Sequence, residues 1–291
     1  MFAVASSVPL NGLVILLMAN NNFAKYRRYA QILRNVSYVL TDRVGKFPQG
    51  FLYGRNYHDE ESETSEIQVG PNWLEEYFDS HTTGPGLWKW RHYFAIYERH
   101  LAKFRDQEVH IVEIGIYSGG SLDMWKAYFG EKVHVYGVDI EPACRAYEGS
   151  GKRIFIGDQA DKNFWRQFIK AVPKLDIVID DGGHKPFQQI ATLEALIPHL
   201  RPGGVYICED LHGRLNPFHD YINGLSRNLH AMGWTDRDDV VVPNNFQRYV
   251  NSIHIYPFVT VIEKTTTRVD ELSAPKHGTE WQPFLHVPVP E

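Results

Sequence analysis

The chain has 291 residues, 43% of them hydrophobic and 22% charged, with a formal net charge of −5. These are ordinary values for a globular α/β protein, and the acidic balance with no lysine/arginine run argues against nucleic acid as a partner. The two cysteines, Cys144 and Cys208, lack CxxC spacing; they exclude a disulfide framework and fit small apolar fillers in a reducing, cytoplasmic compartment.

Residues 1–19 are apolar but broken by Pro9, Asn11 and Gly12. The uninterrupted run is shorter than the roughly 18–20 residues of a spanning helix, and no positive charge precedes it as in a secretory signal. A membrane association is therefore not expected, and an N-terminal helix or loosely held extension is. Residues 20–45 read as an amphipathic helix with Tyr26, Tyr29, Ile32 and Leu33 as its apolar positions. Residues 46–70 are polar and turn-rich, and the acidic run at 60–66 reads as a solvated loop. Two helical patterns follow within 71–107, split by Gly84-Pro85-Gly86. The second, at 88–101, is aromatic on several faces; it packs on a sheet or covers a pocket, with Trp88 and Tyr93 as candidate substrate-side rings.

From residue 108 the rhythm becomes strand–helix. Apolar strands read at 109–115, 133–139, 153–158, 175–181 and 204–210, with helical patterns at 121–129, 162–172 and 187–200 between them. Continuous rather than alternating apolarity predicts a parallel sheet covered on both faces. A helix at 217–232 and two strands at 251–257 and 258–264 would complete it as antiparallel edge strands. The expected organisation is an N-terminal extension over 1–70, a doubly wound α/β domain over 71–264, and an extended C-terminal arm over 265–291.

Four of the five strands end in Asp or Glu, at the sheet edge where open α/β folds bind ligands. The first strand carries Glu113 and runs into the turn GIYSGGS. Its glycines, Gly115, Gly119 and Gly120, do not have the GxGxxG spacing that admits a pyrophosphate. The pattern resembles instead the first motif of class I S-adenosylmethionine-dependent methyltransferases, in which the turn meets the methionine end and the ribose. That resemblance puts Glu113, Gly115, Tyr117, Ser118 and Ser121 in a cofactor pocket. Asp139 is then placed for the ribose hydroxyls and Asp158 and Gln159 for the adenine edge, with Asp180 alongside.

The stretch IDDGGH at 179–184 is followed one strand later by CED at 208–210. Asp181, Glu209 and Asp210 offer three carboxylates from adjacent loops, a donor set that suits Mg²⁺ or Mn²⁺. His184, three residues past Asp181, is a candidate general base. A second reading joins His184, Asp210 and His212 as a two-histidine, one-carboxylate site for non-haem iron and 2-oxoglutarate, leaving Asp181 and Glu209 unexplained. A third is a binding protein that keeps the pocket without turnover.

The combination of HYFAIYERHL (92–101), VEIGIYSGGSLDMWKAYF (112–129), YGVDI (136–140), IDDGGH, RPGGVYICEDLH (201–212) and SIHIYPFVTVIEK (252–264) resembles metal-dependent sugar O-methyltransferases of macrolide biosynthesis, the mycinamicin and tylosin type. The resemblance covers residues 88–264. It implies a Rossmann-like class I methyltransferase fold, S-adenosylmethionine as cofactor, Mg²⁺ on Asp181, Glu209 and Asp210, and His184 as base. It further implies a small-molecule acceptor, a sugar or polyhydroxylated natural product methylated on one hydroxyl of a vicinal pair, and a homo-oligomer, a dimer or tetramer.

Overall fold

The computed structural model describes residues 48–56, 70–231, 240–275 and 277–278. The chain divides into two compact units, Met1–Val69 and Gly70–Glu291. In the first, residues 48–55 are helical; the helix expected at 20–45 and the acidic loop at 60–66 lie outside the described residues. Among the described residues no helix is long and apolar enough to cross a membrane.

The second unit is a seven-stranded sheet in the order β3-β2-β1-β4-β5-β8-β7. Strands β1 (Val109–Ile114), β2 (Val133–Asp139), β3 (Lys152–Ile156), β4 (Leu175–Asp180) and β5 (Leu200–Cys208) are parallel. β7 (Val250–Tyr256) and β8 (Val259–Lys264) close the β5 edge in antiparallel pairing, as the sequence predicts. β6 (Val240–Val241) pairs separately with β9 (Leu272–Ser273), so the described part of the C-terminal arm holds a short strand.

The continuous apolar runs are explained by burial on both faces. Along β1, β4 and β5, Ile111, Ile177, Ile179, Val205 and Ile207 point into one core; Val112, Ile114, Val178, Tyr206 and Cys208 point into the other. The first core is completed by α1 (Trp73–Ser80), α2 (Arg91–Leu101) and α3 (Gly120–Phe129), through Leu74, Phe94, Tyr97 and Trp125. The second is completed by α4 (Lys162–Ala171), α5 (Pro186–Leu196) and α6 (Pro217–Leu229), through Trp165, Phe168, Leu193 and Phe218. Each such fully buried side chain contributes on the order of 1.5–3 kcal/mol.

Strand order reverses between β1 and β4, and at such a switch point the loops part and leave a crevice. One expected boundary moves. The helical pattern at 88–101 becomes helix only from Arg91, because the N-cap Trp90 is extended (φ −67°, ψ 134°) and Leu87–Lys89 before it carries no regular structure. This lead-in lays Lys89 across the carboxyl ends of the strands.

Candidate active site

A cavity of about 730 Å³ opens at the switch point, walled by the turns after β1, β2, β3, β4 and β5 and by residues 86–93. The turn after β1 is close-packed. Gly115 has φ +86°, and a Cβ there would lie 2.1 Å from the Asp181 carbonyl oxygen. Only glycine combines that backbone with that approach, so the motif also joins β1 to the IDDGGH loop. Asp139 holds the turn from the β2 end: its Oδ2 accepts from the amides of Ile116 (2.8 Å) and Tyr117 (3.2 Å), its Oδ1 from that of Glu141 (2.9 Å).

Gly115, Tyr117, Ser118, Ser121, Asp139, Asp158 and Gln159 all line the cavity. Glu113 and Asp180, expected beside them, sit beneath its wall. Glu113 is fully buried and accepts from Ser121 Oγ (2.6 Å), Trp125 Nε1 (3.2 Å) and Lys89 Nζ (3.1 Å). Asp180 accepts from Gln159 Nε2 (3.0 Å) and the Tyr206 hydroxyl (2.8 Å), and burial pushes its carboxyl up to about 7. Both carboxylates have their partners within the protein, which makes them supports of the wall. The Gln159 amide is engaged in the same way: its Oε1 accepts from the Gly183 amide at 2.6 Å. It thus braces the loop that carries His184.

Across the cavity, Asp181, His184 and Asp210 each bring one ligand atom within 4.8 Å of the others. His184 Nε2 lies 3.7 Å from Asp210 Oδ2, with its side chain 40% exposed. Both His184 (φ +52°) and Asp210 (φ +54°) hold left-handed backbone conformations that cost a non-glycine residue of order 1–3 kcal/mol, a form of strain that clusters at functional sites. The Asp210 Oδ1 accepts from the Tyr93 hydroxyl (2.7 Å) and Trp90 Nε1 (3.1 Å). Glu209 is fully buried, with Oε1 accepting from the Tyr97 hydroxyl (2.6 Å) and Oε2 from Lys89 Nζ (2.9 Å). Burial raises its carboxyl above the usual range against the pull of Lys89.

The oxygen-rich set of Asp181 and Asp210, with Glu209 adjoining and one imidazole, fits a hard divalent cation by donor chemistry. The iron reading is not supported: His212 lies outside the three-residue cluster, 4.0 Å from Asp210, its ring packed on Phe258 (4.7 Å between centroids).

Four donors were missed by sequence reasoning in their actual roles: Lys89, Trp90, Tyr93 and Tyr97 all bond the carboxylates. A signal was present. Tyr93 and Tyr97 are spaced i, i+4, which puts both hydroxyls on one edge of α2, and Lys89 precedes them in the lead-in to that helix.

Comparison with known proteins bears on this geometry. Residues 112–211 match the family model described as a methyltransferase domain. The chain is 34% identical over 200 residues to the 8-demethyl-8-alpha-L-rhamnosyl tetracenomycin-C 2'-O-methyltransferase of Streptomyces olivaceus, covering 62% of this chain and 52% of that protein. It is 38% identical over 122 residues to the mycinamicin VI 2''-O-methyltransferase of Micromonospora griseorubida, covering 40% of this chain and 30% of that one. A solved structure of the MycE methyltransferase from the mycinamycin biosynthetic pathway, in complex with Mg and SAH, superposes with a TM-score of 0.55 at 28% identity, over 67% of this chain and 54% of that chain. The chain thus spans between about a third and half the length of these relatives. It has a Rossmann-like methyltransferase fold, matches the methyltransferase domain model over residues 112–211, and is similar to sugar O-methyltransferases of macrolide and tetracenomycin biosynthesis.

Proposed function

We propose that the protein transfers the methyl group of S-adenosylmethionine to a hydroxyl of a sugar or other polyhydroxylated small natural product, assisted by Mg²⁺ or Mn²⁺. The observation that carries this reading is the convergence of Asp181, His184 and Asp210 within 4.8 Å on the wall of the cavity that the glycine turn opens. The similarity to named sugar O-methyltransferases supports it.

The glycine turn and Asp139 shape the cofactor end, with Tyr117 and Ser118 beside them. Asp181, Glu209 and Asp210 would hold the cation, which when bound supplies Lewis-acid polarisation of an alcohol, a poor nucleophile by itself. Two adjacent hydroxyls suit such a site, since both oxygens of a vicinal pair can face it. His184 takes the hydroxyl proton at a ring nitrogen. The oxygen lone pair forms the new O–CH₃ bond while the S–CH₃ pair returns to sulfur, leaving S-adenosylhomocysteine and the methyl ether. The rings of Trp90 and His212 line the cavity beside Asp210 and pack with Phe258 at 4.7–6.2 Å between centroids. A homo-oligomer and a cytoplasmic location complete the proposal; the buried free thiols of Cys144 and Cys208 suit a reducing compartment.

Calorimetric titration with S-adenosylmethionine, with Mg²⁺ and after EDTA, followed by screening of glycosides for methyl acceptance, tests it. Micromolar-range binding and metal-dependent methylation of a diol, lost when the hydroxyl is already methylated, are expected. No cofactor binding under any condition overturns the reading.

A further inference from the structure

The Lys89 side chain is 3% exposed and points its ammonium into three carboxylates from three strand ends: Glu113 at 3.1 Å, Asp181 at 2.6 Å and Glu209 at 2.9 Å. An ammonium has three N–H donors, and all three are spent here. The ammonium meets its partners at three points. It meets one oxygen of Asp181 and one of Glu209 at once, so the two acids cannot turn independently. Through Glu113 it also ties them to the turn after β1, where Ser121 and Trp125 hold the other oxygen.

Resting on the methyl-transfer reading above, we propose that Lys89 is the positioning residue of this site: its ammonium sets Asp181 and Glu209 in the orientation that receives the divalent cation. The role needs no contact with acceptor or cofactor. It also differs from charge balance, which any buried cation would satisfy. A guanidinium keeps the charge but spreads its donors in a plane, and it cannot reproduce three bonds converging on one nitrogen.

The test compares the wild-type protein with Lys89→Met and Lys89→Arg. Thermal unfolding is recorded first, then Mn²⁺ affinity by calorimetry, S-adenosylhomocysteine affinity, and kcat and KM. Positioning predicts that both variants lose Mn²⁺ affinity by roughly 10–100-fold, as loss of a partner behind a metal ligand does. S-adenosylhomocysteine affinity stays within about threefold, and the loss in turnover falls on kcat at saturating metal. Wild-type Mn²⁺ affinity in Lys89→Arg alone overturns positioning in favour of charge balance. Wild-type or tighter affinity in Lys89→Met overturns it outright. Should neither variant fold, Glu113→Gln carries the test, since it weakens the contact that anchors the ammonium and leaves Asp181 and Glu209 themselves unchanged. A several-fold weaker Mn²⁺ affinity is then expected, and an unchanged one overturns the proposal. Absence of Mn²⁺ or S-adenosylhomocysteine binding by the wild-type protein is the separate result that brings down the methyl-transfer reading itself, and this inference with it.

Discussion

On the side of the glycine turn the cavity is shaped by backbone: Gly115 at φ +86° against the Asp181 carbonyl, and Asp139 accepting three main-chain amides. On the carboxylate side it is shaped by charge: Asp181, Glu209 and Asp210 are held by Lys89, Trp90, Tyr93 and Tyr97, all from one segment more than 80 residues upstream. Backbone shaping rests on main-chain groups and turn conformation, even where it joins Gly115 to Asp181. Charge shaping is non-local, and each buried carboxylate depends on donors that no neighbouring residue can replace. The two sides should therefore fail differently when perturbed.

The largest effect is expected where the chemistry is. His184→Ala should lower kcat by roughly 10²–10⁴-fold, the usual worth of a positioned base, with S-adenosylhomocysteine affinity within about threefold of wild type. Single-turnover rates and calorimetry on one preparation check both halves of that statement. Near wild-type turnover would end the assignment of His184, and an equal loss of cofactor affinity would show that the two sides do not separate.

A smaller effect should come from the backbone side. Gly115→Ala places a Cβ 2.1 Å from the Asp181 carbonyl at a left-handed φ. Strain of about 1–3 kcal/mol is expected, together with a shift of the turn. Cofactor affinity should fall about tenfold or more, and the displaced IDDGGH loop should also lower turnover. Unchanged affinity and midpoint of unfolding would mean that the turn relaxes without cost.

Smaller again is Tyr93→Phe, which deletes the 2.7 Å hydrogen bond to Asp210 and leaves the ring in place. A bond to an ionised acceptor contributes about 1.5–3 kcal/mol when buried, and the partial exposure of Asp210 puts the loss toward the lower end. Denaturant unfolding measures it. The loss should be accompanied by weaker Mn²⁺ binding and unaltered cofactor binding.

These differences also explain what could be read from the residues in order. The five parallel strands and the antiparallel pair at the edge follow from apolar runs that are continuous because both faces are covered, and the structure has them within a few residues. Asp181, His184 and Asp210 were legible as acids and an imidazole at strand ends, and they come together. Glu113 and Asp180 were read as cofactor contacts because sequence position gives the strand end but not depth; in the fold they are sealed by Ser121, Trp125, Tyr206 and Gln159. Gln159 was read as an adenine contact, yet its amide also braces Gly183, 24 residues away. Lys89 was overlooked for a related reason. Its partners lie 24, 92 and 120 residues along the chain, and only the folded sheet brings their strand ends to one point.

Far from the cavity, a third group of side chains gives the smallest effect and a control on the others. Burial lowers His110, helped by the neighbouring His134, whose ring stacks at 4.3 Å, and by Arg201; burial also lowers His199 and His254. In each case the fold favours the neutral ring. Below the usual histidine value of about 6.5 the unfolded chain then binds more protons than the folded one, so stability is full above that pH and falls as pH drops through it. Unfolding midpoints should decline over this window, and His110→Gln should make the decline shallower without altering kcat at pH 8. Any loss of turnover over the same window has two candidate causes, the site and acid unfolding. His110→Gln separates the two causes: if its turnover profile keeps the wild-type midpoint while its stability profile flattens, the loss of rate belongs to the site. If both profiles move together, acid inactivation is unfolding, and the pH dependence of turnover says nothing about the base.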